Sequence, residues 1–328
     1  MLALVEITPW HWVGFVVCVL IFLALDLGVF HRHAHTVKFK EALVWSIIWF
    51  SLAMLFALAL KPLRGKQEAL QFVTGYLIEL SLSMDNVFVI ALIFAYFRVP
   101  REHQHRVLYW GILGALIMRG LMIGLGLALI ALLDWILYVF GAFLLYSGFR
   151  MLFVQTEVHP ENNRVVRWAR KLYPVTPELH GQRFIVPWEG RMAITPLALV
   201  LLMVETTDLL FALDSIPAVF AVTRKPFIVF TSNVFAILGL RSLYFLLAGA
   251  IGYFRYLKYG LPAVLVFMGV EMLLDPHNRQ PPRWFQVEIP TSVSLVVVAG
   301  ILLLAIVLSI LAARHERKQK TAKPLKPD

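Results

Sequence analysis

Cysteine is almost absent from this chain, and charge is scarce. The single cysteine in 328 residues, Cys18, excludes an intramolecular disulfide and says nothing about compartment. Charged residues make up 15% of the chain, where a soluble domain carries about 25%. Hydrophobic residues fill the difference at 60%, and the mean hydropathy is +0.76. That balance excludes an ordinary soluble domain and predicts an all-α polytopic membrane protein. No signal-peptide pattern is present: the first apolar run lacks a basic start and a small-residue cleavage site, so it is expected to remain as a span. The net charge of +10 is the composition of a nucleic-acid binder, but the placement of the charges excludes that reading.

A membrane-spanning helix needs about 20 apolar residues. Nine runs qualify: Trp12–Phe30, Leu43–Leu60, Phe72–Phe97, Val107–Leu133, Trp135–Val154, Ile194–Val222, Phe227–Phe254, Tyr256–Leu274 and Val293–Ala313. With the N-terminus outside, the connections on the inner side hold 21 Lys and Arg and those on the outer side hold 7. The positive charge is therefore a topology signal that places the long connection and the basic tail on the cytoplasmic side of the membrane. No nucleic-acid partner is expected.

Three carboxylates interrupt one of the apolar runs. Glu205-Thr206-Thr207-Asp208 and Asp214-Ser215 lie between Ile194 and Val222, and each charge at the centre of a span costs about 2.5–3.5 kcal/mol. The pattern occurs twice. Shifting Glu79 by 129 positions gives Asp208, and the same shift takes Asp85 to Asp214 and Asn86 to Ser215. Further along, Ile112-Leu113-Gly114 parallels Ile237-Leu238-Gly239, with Arg119 and Arg241 following. Tyr138, Gly148, Met151 and Leu152 fall on Tyr259, Gly269, Met272 and Leu273 at a shift of 121. Each copy has three spans, an odd number, so the copies should cross the membrane in opposite directions. Such inverted repeats carry a midplane site at their junction in secondary transporters. The expected division is two N-terminal spans (1–71), a first repeat (72–155), an inner loop (156–191), a second repeat (192–275), a last span (276–313) and a basic tail (314–328).

Neither acidic motif contains histidine or cysteine. The oxygen-rich set Glu79, Asp85, Asn86, Glu205, Asp208 and Asp214 suits Mg²⁺, Ca²⁺ or Mn²⁺ over Zn²⁺ or Cu⁺. Met84 is the one soft donor in either motif. At 100° per residue Glu79 and Asp85 stand about 120° apart around a helix, as do Asp208 and Asp214. One straight helix cannot aim both at one point, so a break is expected near each Asp, aided by Pro217. The competing structural reading has the acids paired with Arg119 and Arg241 as internal glue, but two arginines cannot neutralise five acids. Ser215, Arg119 and Arg241 are expected to support the site. Asp26, Glu271 and Asp134 read as boundary or turn residues. The histidines at 31, 33, 35, 103 and 105 read as loop residues.

Residues 79–89 (ELSLSMDNVFV), 211–223 (FALDSIPAVFAVT) and 231–247 (TSNVFAILGLRSLYFLL) resemble the TerC family of membrane proteins, and its Alx-type branch in particular. The resemblance runs from Trp12 to about Ile310. It implies export of Mn²⁺ from the cytoplasm, with other divalent cations as alternative substrates and Glu79, Asp85, Glu205, Asp208 and Asp214 as pathway residues. No prosthetic cofactor is expected. Tellurite, the source of the family name, is an anion that a carboxylate cluster would repel. Leu80 stands where relatives often carry lysine. A rival reading makes the protein an accessory that supplies metal to proteins leaving through the secretion machinery. A third, an intramembrane aspartyl hydrolase, needs Tyr-Asp and Gly-x-Gly-Asp settings that are absent, so no enzyme is expected.

Overall fold

A computed structural model describes residues 6–25, 39–133, 135–153, 164–248, 256–276 and 286–322. Asp26, the histidines at 31, 33 and 35, Asp134, the opening of the long connection and the last six residues lie outside them. The described chain forms α1 (Pro9–Leu25), α2 (Phe39–Arg64), α3 (Lys66–Tyr96), α4 (Arg101–Leu132), α5 (Ile136–Phe153), α6 (Arg164–Leu172), the strands β1 (Ile185–Trp188) and β2 (Arg191–Ile194), α7 (Pro196–Val222), α8 (Pro226–Ala248), α9 (Leu257–Leu274) and α10 (Thr291–Ala322). Seven of these helices are long and apolar enough to cross a membrane, and α1 and α9 are shorter apolar helices. Together they correspond to the nine expected spans. The fold is that of an all-α polytopic membrane protein.

In hydrocarbon each backbone group must be bonded within its own segment, which favours continuous helices. Both acidic segments obey this. α3 and α7 run unbroken through Asp85-Asn86 and through Asp214-Ser215-Ile216-Pro217. The expected breaks do not form, because the acids of each helix serve different neighbours and need not converge. α7 starts with Thr195 as its cap, accepting from the Ala198 amide, and with Pro196 in the first turn, where no amide partner is lost. α10 continues as helix to Ala322, into the expected basic tail.

Helices at equivalent places in the two copies lie antiparallel. Asn86 of α3 meets Asp208 of α7, while Gly75, eleven residues earlier, lies against Val219. In α4 and α8, Arg119 meets Asn233 and His105 meets Arg241. In α5 and α9 the seam is made of small residues. A Cβ on Gly269 would lie 2.9 Å from the Gly141 carbonyl oxygen, and one on Gly148 would lie 3.0 Å from that of Pro262. Shifting by 121 maps one contact onto the other, as a two-fold axis between the copies requires. The copies are interlaced: α3 packs chiefly on α8 and α4 on α7, so neither copy forms a closed bundle alone.

Lipid tails are as apolar as leucine, so close backbone approach rather than water exclusion holds such helices together. Gly269→Val forces the α5–α9 seam apart and is expected to cost about 1–3 kcal/mol. Thermal unfolding of the purified variant in detergent measures this, and an unchanged Tm would show that the seam is not tight.

α8 is the central helix, buried nearly all round. α1 and α2 clamp it through aromatic contacts, including Trp12 on Phe227 at 5.3 Å and Phe56 on Phe235 at 5.0 Å. The outward face of α4 shows Ile117, Leu121 and Leu125, four residues apart and exposed, while Arg119 and Ile123 turn inward. Between α6 and α7 the strands form a hairpin in the register Ile185↔Ile194 to Trp188↔Arg191. Its turn residues Glu189 and Gly190 both have positive φ, 48° and 75°, which is the two-residue turn that matches strand twist.

Candidate functional site

The site is the crossing of α3 and α7. Glu79, Ser83 and Asn86 are spaced four and three apart, which aligns them on one face of α3. All three are buried. The facing stripe of α7 carries Asp208, Ala212 and Ser215 at the equivalent positions. Arg119 enters this crossing from α4. Its guanidinium pairs with Glu79, donates to Asp208 at 2.8 Å and donates to the Asn233 side-chain oxygen of α8 at 3.1 Å. Arg119 is 2% exposed, Glu79 0% and Asp208 13%. Asn86 donates to Asp208 at 3.3 Å. Glu205 lies one helical turn before Asp208, close enough for their charges to interact. A methyl group on Gly114 of α4 would collide with the Glu205 carboxylate, so the glycine makes room for it.

Asp85 and Asp214 face elsewhere, as helix geometry dictates. Asp214 accepts from Ser147 of α5 at 2.6 Å, and the charge of Arg150 reaches it. Asp85 is half-buried and has no hydrogen-bond or ion-pair partner among the described residues. Met84, beside it, packs against the Leu261–Ala305 cluster and so acts as an apolar side chain. Arg241 lies about two turns beyond Asn233 along α8, with a nitrogen 3.0 Å from His105.

Several buried oxygens at the crossing have no hydrogen-bond donor among the described residues. They are Glu79 Oε2, Ser83 Oγ, Asn86 Oδ1 and Ser215 Oγ, whereas Glu79 Oε1 lies against the Arg119 guanidinium. A buried polar group without a partner costs about 1–3 kcal/mol. Among the described residues no three His, Cys, Asp or Glu side chains stand close enough together to hold a metal ion. The acids thus form an inner group, Glu79, Glu205 and Asp208, and two lateral positions, Asp85 and Asp214.

Polar contacts tie the helices together at both ends of the bundle. At one end Glu68 of α3 binds Arg64 and Lys225 at 2.8 and 2.6 Å, and Thr223 donates to Gln71. At the other, Tyr244 donates to Gln104 at 2.9 Å beside the Arg241–His105 contact. Sequence reasoning missed Ser83, Asn233 and Ser147. Ser83 was findable, since it completes the Glu79 face. Glu271, expected at a boundary, is 6% exposed and accepts from Ser294 of α10.

Fold and crossing together define a multi-pass membrane protein with two inverted copies around a buried acidic centre. The chain belongs to the TerC family of integral membrane proteins, whose family model matches residues 64–319. It is 52% identical over 310 residues to an uncharacterized membrane protein of Myxococcus xanthus, covering 94% of each chain. It is 45% identical over 323 residues to Alx of Escherichia coli K12, named as a candidate membrane-bound redox modulator, covering 95% of this chain and 98% of that one. A membrane protein of Rickettsia bellii is 37% identical over 301 residues. No solved structure matches.

Proposed function

We propose that the protein is a transporter, not an enzyme, and that it carries Mn²⁺ out of the cytoplasm through the α3–α7 crossing. The observation that carries this is the set of buried oxygens without donors around Glu79 and Asp208. Glu79 and Asp208 contact the one guanidinium and Glu205 stands beside Asp208, so the group has two negative charges in excess if all are ionised. A divalent cation is the matching charge, and carboxylate, amide and hydroxyl oxygens are the donors of hard cations. Manganese is put first among these cations on the family resemblance. Glu79, Glu205, Asp208 and Asn86 hold the ion after drawing closer than they stand here, Ser215 supports it, and Arg119 supports the carboxylates when the ion is absent. Asp85 and Asp214 are way stations on either side. Arg241 braces the inner end. Transport requires the two ends to open in turn, with the N-terminus outside and the C-terminus in the cytoplasm of a bacterial inner membrane.

The test is metal uptake into inside-out vesicles that contain the purified protein alone. Uptake of Mn²⁺ above Mg²⁺, Ca²⁺ and Zn²⁺ is expected. No flux, with co-purification of the secretion channel, would support the accessory reading instead. Only deprotonated carboxylates bind metal, so binding releases protons. The apparent affinity should therefore fall as pH drops from about 8 to about 5.5. An affinity that is flat over that range would remove the carboxylates from the site.

A further inference from the structure

We infer that α6, with the cavity beside it, is a membrane-surface element that holds an anionic phospholipid headgroup. α6 has the sequence Arg-Val-Val-Arg-Trp-Ala-Arg-Lys-Leu. Around its axis Val165, Trp168 and Leu172 make one narrow stripe, and all three are exposed, Trp168 at 70% and Leu172 at 68%. Val166, about 100° from Val165, is 3% exposed and belongs to the buried cluster that includes Leu197 and Val200 of α7, against which α6 packs. The remaining arc carries Arg167, Arg170 and Lys171. An exposed Trp/Leu stripe opposite a basic arc is the pattern of a helix lying in the membrane interface.

Placement supports the same conclusion. α6 is bolted to the first turn of a spanning helix, so it sits at the level where that span leaves the membrane. α5 reaches the same side and ends in Phe153, 82% exposed, three residues after Arg150. On the hairpin, Ile185 and Met192 are exposed as well, at 55% and 60%. A cavity of about 470 Å³ opens between α6 and the ends of α3 and α7, lined by Phe97, Arg170, Val175, Thr176, Pro196 and Leu199. Apolar walls with one guanidinium fit a phosphate head with the start of its acyl chains, and basic pockets between spans at a membrane surface take acidic lipids. The basic arc and the cavity arginine supply the charge complement. The apolar stripe supplies insertion.

The experiment uses the full chain with Cys18→Ser and single cysteines at 167, 168, 171 and 172, spin-labelled. The protein is placed in nanodiscs of phosphatidylcholine alone or with phosphatidylglycerol. Labels at 168 and 172 should be open to oxygen and shielded from a water-soluble nickel chelate, and labels at 167 and 171 the reverse. Phosphatidylglycerol should deepen the first pair, and Arg170→Gln should remove that dependence and the phosphatidylglycerol retained on purification. Equal chelate access at all four positions would overturn the proposal, as would shielding of 168 and 172 from both probes, the result of cover by protein. Depth that ignores phosphatidylglycerol would overturn the headgroup assignment.

Discussion

Arg119→Gln is expected to tighten Mn²⁺ binding by roughly tenfold or more while slowing transport by at least as much. The guanidinium bridges Glu79 of α3 and Asp208 of α7, where the proposed function puts the metal ion. At about 4 Å and an effective dielectric of about 20, two unit charges interact by about 4 kcal/mol. A tethered cation beside the site therefore opposes a dication strongly, and its removal favours binding. The same removal harms the return of the empty carrier. Without metal or arginine, Glu79 and Asp208 would cross the cycle uncompensated, each at the cost of a buried charge. Ions then bind and stay. Arg119→Lys should fall between, because an ammonium cannot grip both carboxylates with a planar fork. The measurements are Mn²⁺ affinity, flux and metal-induced change in Tm on the same preparations. Lost abundance with no stabilisation by Mn²⁺ would make Arg119 a structural strut, since breaking a buried pair destabilises by itself. Normal affinity and flux would place it outside the site.

That Arg119 neutralises acids was legible in the sequence, because a charge inside a span must be compensated. Which acids it reaches was not, and Arg241 shows why. The two arginines hold corresponding places in the repeat, yet one sits among Glu79, Asp208 and Asn233 and the other beside His105. How far a side chain lies along the crossing depends on helix tilt and on small-residue seams such as Gly141–Gly269, which spacing alone does not encode. The inverted repeat was legible because acids in apolar runs are rare, and two copies at one shift stand out. Ser147 and Asn233 were not, since single polar residues in spans are common. The expected helix breaks are absent because Glu79 and Asp85 face different neighbours and need not reach one ion. The hairpin went unread although Glu189-Gly190 between two apolar runs signals a two-residue turn.

Asp85→Asn and Asp214→Asn should each reduce Mn²⁺ flux by roughly tenfold or more and leave equilibrium affinity within about threefold, whereas Glu79→Gln or Asp208→Asn should weaken affinity by roughly a hundredfold. The difference follows from helix faces. Glu79 and Asp208 point into the crossing and would bind the ion directly, so each removed charge costs a few kcal/mol of binding. Asp85 and Asp214 stand about 120° away around α3 and α7, and Asp214 is already bonded to Ser147 of α5. They cannot share one ion with the inner pair in this arrangement. They can receive it when an end opens, and a lost way station slows passage without changing the resting site. Folding gives an independent check. Asp85 has no partner among the described residues to lose, and an asparagine at 214 still accepts from Ser147, so both variants should reach the membrane at normal levels. At Asp208, by contrast, a neutral side chain leaves Arg119 with Glu79 alone and should lower abundance, which added Mn²⁺ cannot restore. Affinity that falls as far in Asp85→Asn as in Asp208→Asn would show that the acids converge on one ion in a conformation other than this one. Unchanged flux in either lateral variant would remove that aspartate from the pathway.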